Sequence, residues 1–169
     1  MLDVEDVTAL LDLRPHSAEG GYFAETYRSD ETLPPVGLPE RYSGARAFGT
    51  AIYYLLTPDS FSAMHRLRSD EVFHFYMGDP VEMLRLSPDG TGDGLMLGTD
   101  LATGMRPQAI VPRGVWQGLR LVPGGRYALL GTTVAPGFDF ADFEIAERGI
   151  LLEEYPAFDE MIVALTREA

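Results

Sequence analysis

Between residues 48 and 134 the chain runs as eight short β-rich segments divided by turn clusters, with no helical stretch among them. This punctuation constrains the fold most. The segments are 49–56, 60–66, 71–77, 81–86, 95–98, 108–111, 115–122 and 127–134. Between them stand Thr57-Pro58-Asp59, Gly78-Asp79-Pro80, Pro88-Asp89-Gly90, Pro112-Arg113-Gly114 and Pro123-Gly124-Gly125. Proline presets φ, glycine supplies positive φ and aspartate bonds its own backbone, so such clusters reverse the chain. Parallel strands need crossover segments that this stretch lacks, so it predicts an all-β antiparallel sandwich or barrel.

The flanks are simpler. Val4, Val7, Leu10 and Leu11 recur at helical spacing and predict a helix over 4–13, ended by Pro15. Alternation through Tyr22, Ala24, Thr26 and Arg28 predicts a strand over 22–28, and three prolines with two glycines make 29–45 a surface loop. Near the end, Phe158, Met161, Ile162 and Leu165 share one face behind Pro156 and predict a C-terminal helix. With no repeat or linker, and 46% hydrophobic residues to fill a core, residues 1–169 read as one domain.

The chain contains no cysteine, lysine or asparagine. Thiolate nucleophiles, disulfides, cysteine-ligated zinc, Schiff-base lysines and phosphate-loop lysines are thereby excluded. Any imidazole must come from His16, His65 or His74. A formal net charge of −13 repels nucleic acid and anionic lipid. The acidic opening and the lack of a bilayer-length apolar run lead to the expectation of a soluble, cytoplasmic protein.

Two of the three histidines lie in one stretch, 64–78. Strand alternation puts His65 on one face with Phe61, Ala63 and Leu67, and puts Glu71 with Phe73 and Phe75 on the next strand. A short turn joins the two strands. His65 and Glu71 are therefore expected to share an apolar interior, where a base and a carboxylate can move a proton or bind a metal. Gln117 shares a face with Val115 and Leu119, so an interior placement obliges its amide to find a partner. His16, before Gly20-Gly21, is read as a local capping residue.

The spacing His65, Leu67, Glu71, Gly78 resembles the first cupin motif, and Val111-Pro112-Arg113-Gly114-Val115-Trp116-Gln117 resembles the second. More closely, the chain resembles an uncharacterised branch of the cupins similar in fold to the dTDP-sugar epimerases. Its marks are 16–23, Glu25-Thr26-Tyr27-Arg28, 70–80, Trp116-Gln117 and 132–138. The resemblance implies a double-stranded β-helix (jelly-roll) barrel, a homodimer and a small polar ligand. It also implies a metal held by three imidazoles and a carboxylate. Here Leu67 and Gln117 stand in place of two of those imidazoles, which leaves His65, Glu71 and, if a bulge turns it inward, His74.

The epimerase comparison further implies that Glu25, Tyr27 and Arg28 help hold a nucleotide-sugar. Arg46 is a second candidate anion clamp, and Trp116 is read either as core packing or as a lining residue. In that reading His65 is the base, Glu71 orients it, Gln117 fixes a substrate oxygen, and Tyr53, Tyr54 or Tyr76 serves as acid. The expected activity is a sugar or nucleotide-sugar isomerase or epimerase. A non-catalytic carbohydrate-binding module and a metal-dependent enzyme with a reduced ligand set are the alternatives.

Overall fold

In the computed structural model, which describes residues 2–168, each of the eight expected segments is a strand and the turn clusters fall between strands. In chain order, helix α1 (Val4–Leu10) precedes β1 (Arg14–Pro15) and β2 (Tyr22–Arg28), and β3 (Thr32–Leu33) pairs with β4 (Arg46–Ala47). Then come β5 (Thr50–Leu56), β6 (Phe61–Leu67), β7 (Asp70–Gly78) and β8 (Val81–Leu86). They are followed by β9 (Gly92–Leu97), β10 (Gln108–Val111), β11 (Trp116–Leu121) and β12 (Ala128–Ala135). The chain closes with β13 (Phe143–Ile145), α2 (Arg148–Glu154) and α3 (Asp159–Ala164).

Two sheets form the barrel. One has the order β1-β2-β5-β12-β7-β10 and the other β13-β6-β11-β8-β9, with every ladder antiparallel. Their inward faces enclose a core that includes Leu56, Phe73, Met83, Leu97, Leu119 and Leu130, each at most 1% exposed. On the outer face of the five-stranded sheet, α2 and α3 bury Met64, Leu84 and Trp116 under Leu151, Tyr155 and Ile162. Helix α1 covers one end of the other sheet through Val7, which packs with Leu13, Leu55 and Leu129.

Three boundaries differ from the expectation. Helix α1 begins in an Asp3/Asp6 capping box and stops at Leu10, because Asp12 takes a positive φ of 51° and the chain turns to bury Leu13. The loop over 29–45 contains β3 and a 3₁₀ turn, and Tyr42 near its end is buried. The C-terminal region is two helices around a Pro156–Phe158 turn. Helix α2 carries no capping signal, since Glu147 makes no side-chain cap, and it is held by the fully buried Leu151.

Candidate active site

Strand alternation aims one set of side chains from β2, β5, β6, β7 and β12 into the barrel. At one end the inward positions stop filling the space and leave a cavity of about 380 Å³. Its wall includes His65 and Leu67 of β6, Glu71 of β7, and Thr132 of β12. Phe138, Phe140 and Phe143 arch over it, with Phe143 stacked on the His65 ring at 5.0 Å between centroids.

At the base His65, Gln117 and Glu71 are drawn together, all at most 7% exposed. The His65 Nδ1 lies 2.8 Å from the Ala63 carbonyl oxygen, which can only accept, so in the neutral ring Nδ1 carries the hydrogen and Nε2 is the acceptor. Gln117 Nε2 donates to Glu71 Oε2 at 2.6 Å and sits 3.3 Å from His65 Nε2. Gln117 thus spans the pair, and Glu71 reaches His65 through the amide rather than directly. The Gln117 Oε1 is buried without a hydrogen-bond partner. Burial raises the Glu71 pKa above the ordinary carboxylate value, and the nearby His65 offsets part of that rise.

Two further site residues come from the segment before β2, where no periodicity announces them. His16 and Glu19 both line the cavity. The Glu19 N–H donates to His16 Nδ1 at 2.9 Å, the local bond expected of His16, and this leaves its Nε2–H to point elsewhere. Burial lowers the His16 pKa, against an opposing pull from Glu19, and favours the neutral ring. Glu19 accepts from the buried Ser62 hydroxyl at 2.5 Å, and its other oxygen lies 4.0 Å from His65 Nε2. The glycine pair makes this approach. Gly20 has a φ of 105°, and a side chain there would run into the Phe61 carbonyl oxygen.

The remaining expected site residues divide. Arg28 and Glu25 are at the cavity mouth, joined by a two-pronged ion pair at 2.7 and 3.0 Å. Tyr27 is not in the cavity, because the bulge at Thr26 turns it to the outer face, where it is 56% exposed. Arg46 is not an anion clamp. Its buried guanidinium makes two 2.7 Å bonds to Asp142 and two more to the Gly44 and Ala45 carbonyls, which fixes the phenylalanine arch.

Trp116 also lies outside the cavity. With its neighbour Gln117 facing inward it must face outward, and it packs beneath α2 and α3 with Arg66 over its ring. Gln117 in turn is absent from the cavity wall, and its amide nitrogen is committed to protein atoms. Of the tyrosines, Tyr53 and Tyr76 meet on the outer face, while Tyr54 is buried, donates to the Gly20 carbonyl at 2.8 Å and has its pKa pushed well up by burial.

His74 cannot join His65 and Glu71 in a metal site. No bulge turns it inward; it bonds Thr133 across the outer face and stacks on Tyr76. Leu67 presents a hydrocarbon where an imidazole is expected, and Gln117 offers a weak amide donor. Among the described residues no group of three or more histidines and carboxylates is placed to hold a metal ion. The donor set does not fit the cupin metal.

The double-sheet antiparallel barrel is that of the cupin class. Within that class the chain belongs to the family described as Cupin superfamily (DUF985), whose model matches residues 5–146. An uncharacterised Saccharomyces cerevisiae protein, YML079W, is 35% identical over 132 residues, which are 73% of this chain and 66% of the yeast protein. The crystal structure of SO0799 from Shewanella oneidensis is 34% identical with a TM-score of 0.88, covering 100% of both chains. More distantly, Bacillus subtilis oxalate decarboxylase, a protein with Mn(II) centres, shares the fold at 13% identity and a TM-score of 0.52, covering 94% of this chain and 38% of that one. Among the described residues, no helix is long and apolar enough to cross a membrane.

Proposed function

We propose that this barrel is an isomerase or epimerase that moves a proton on a small sugar-like carbonyl compound without using a metal. The observation that carries the reading is His65. Its Nδ1 is locked to a carbonyl, and its Nε2 lone pair lies between Glu19 and Gln117 at the floor of a cavity of metabolite size. In the forward step the substrate C–H bond breaks, the proton goes to His65 Nε2 and the electron pair moves onto the carbonyl oxygen. Glu19 and Glu71 on either side stabilise the imidazolium. The neutral His16, whose Nδ1 accepts from the Glu19 N–H and whose Nε2 therefore carries the hydrogen, donates to the developing oxyanion. Return of the proton from His65 to the former carbonyl carbon, while the hydroxyl hydrogen of the neighbouring carbon passes to the oxyanion and a new carbonyl forms there, completes an isomerisation.

The cavity suits such a substrate. Phe23, Ile52 and the phenylalanine arch offer faces for a ring, and Arg14 and Arg28 stand at the opening. The satisfied bond between Gln117 and Glu71 favours a second reading, a carbohydrate-binding module without turnover. Solvent deuterium uptake into a panel of keto-sugars separates the two. Uptake by wild type that falls about 10²–10⁴-fold in His65→Ala supports the enzyme, the ordinary share of a general base. Ligand-induced thermal stabilisation with no exchange supports the module.

The same reading includes a homodimer in the cytoplasm. Tyr27, Tyr76 and Ile110, each at least 50% exposed, lie on the outer face of the six-stranded sheet, where a second copy would cover them. Light scattering that returns the 18.6 kDa monomer mass would remove that part of the reading.

A further inference from the structure

Acidic residues outnumber arginines 26 to 13, and seven of those arginines ion-pair with a carboxylate. Three of the remaining six, Arg41, Arg68 and Arg113, converge on one concavity of about 520 Å³ outside the barrel mouth. Among the described residues none of these three guanidinium groups forms an ion pair with a carboxylate. They come from three separate stretches: the loop before β4, the β6–β7 turn and the β10–β11 turn.

Their placement is organised. Arg41 Nε donates to the Arg68 carbonyl at 2.9 Å, and Arg68 donates back to the Arg41 carbonyl at 2.7 Å. The backbone N–H of Arg113 is tied to Asp70 at 2.8 Å. Arg66 adds a fourth guanidinium, held by Glu144 and by the Trp116 ring. The two carboxylates in the wall are already engaged, Asp142 by Arg46 and Glu144 by Arg66. In a chain of net charge −13, such a cluster resists a long polyanion through the field of the whole surface yet can hold a small one at close range.

We infer that this concavity is a binding site for the phosphate group of a small, soluble phosphorylated ligand. Planar guanidinium forks match phosphate oxygens, and charge-assisted bonds of this kind are the strong ones. The site shares Leu67 and Phe143 with the barrel cavity, so its ligand sits across one side chain from the floor that holds His65. It does not depend on the proton-transfer reading.

The test is calorimetric titration of the full chain with inorganic pyrophosphate at low salt. The expected result is one site per chain, weakened about tenfold or more by Arg113→Ala, as for loss of one charge-assisted bond. Arg113→Glu should abolish it, and Arg68→Gln should weaken it while circular dichroism stays that of the wild type. Arg28→Ala, at the barrel mouth, should leave it unchanged. Absence of binding at millimolar pyrophosphate, equal binding by Arg113→Glu, or loss in Arg28→Ala would overturn the assignment. So would co-sedimentation with phosphoinositide-containing phosphatidylcholine vesicles that Arg113→Glu abolishes, because it would transfer the site to a lipid headgroup.

Discussion

Along the same inward faces, the two ends of the barrel follow opposite rules. On β5 the inward residues run from Thr50 and Ile52 in the cavity to Tyr54 and Leu56 in the core. On β12 they run from Val134 and Thr132 to Leu130 and Ala128, and on β7 from Glu71 to Phe73 and Phe75. One end is closed by hydrocarbon packing; the other buries two histidines, a carboxylate and an amide around unfilled space. The pleat delivers side chains inward at both ends, so the difference is wholly one of side-chain chemistry. A packed end can therefore hold the backbone while a poorly satisfied end is kept for binding.

The largest break in this contrast is expected from Phe73→Ala in the closed end. Its ring is 1% exposed, so the loss is about 3–5 kcal/mol, read from urea unfolding. A loss below about 1 kcal/mol would mean the closed end does not carry the fold. Gln117→Leu in the open end should cost less, about 1–3 kcal/mol, because it strips Glu71 of a 2.6 Å donor while also deleting an unpartnered oxygen. An unchanged unfolding curve would show that the amide does not support Glu71.

The smallest effect, and one of opposite sign, belongs to Glu71→Gln. Burial raises the carboxyl pKa in the folded state above its unfolded value near 4.5, so the fold binds the proton more tightly. That contribution is fully present below the unfolded value and is lost as pH rises through the folded one. Melting temperatures of wild type and Glu71→Gln should therefore diverge with rising pH, the variant gaining on the wild type between pH 4 and pH 8. A constant difference across that range would mean Glu71 ionises as freely in the fold as outside it.

These contrasts also explain what could be read before the structure. The barrel was legible because turn residues and period-2 alternation are local signals, and eight strands with no α-helix among them admit few architectures. His65, Glu71 and Gln117 were legible because alternation alone assigns their face. Alternation also turns Trp116, the neighbour of Gln117, to the outer face, which decides for core packing between its two readings. His16 and Glu19 were not legible, since a glycine pair in left-handed geometry carries them back to the barrel and nothing local records where such a turn leads. The outward turn of Tyr27 depends on a one-residue bulge, and the role of Arg46 depends on Asp142, which lies 96 positions away in the chain.

The place of β12 bears on how the chain acquires its shape. It lies between β5 and β7 and bonds to both, yet its partners on either side are at least 50 positions earlier in the sequence. During synthesis the six-stranded sheet must wait as two unjoined parts until residues 128–135 emerge, and until then the facing edges of β5 and β7 have no ladder between them. Assembly is thus dominated by distant pairings, the pattern that makes β-rich domains fold slowly and exposes their edges to aggregation on the way.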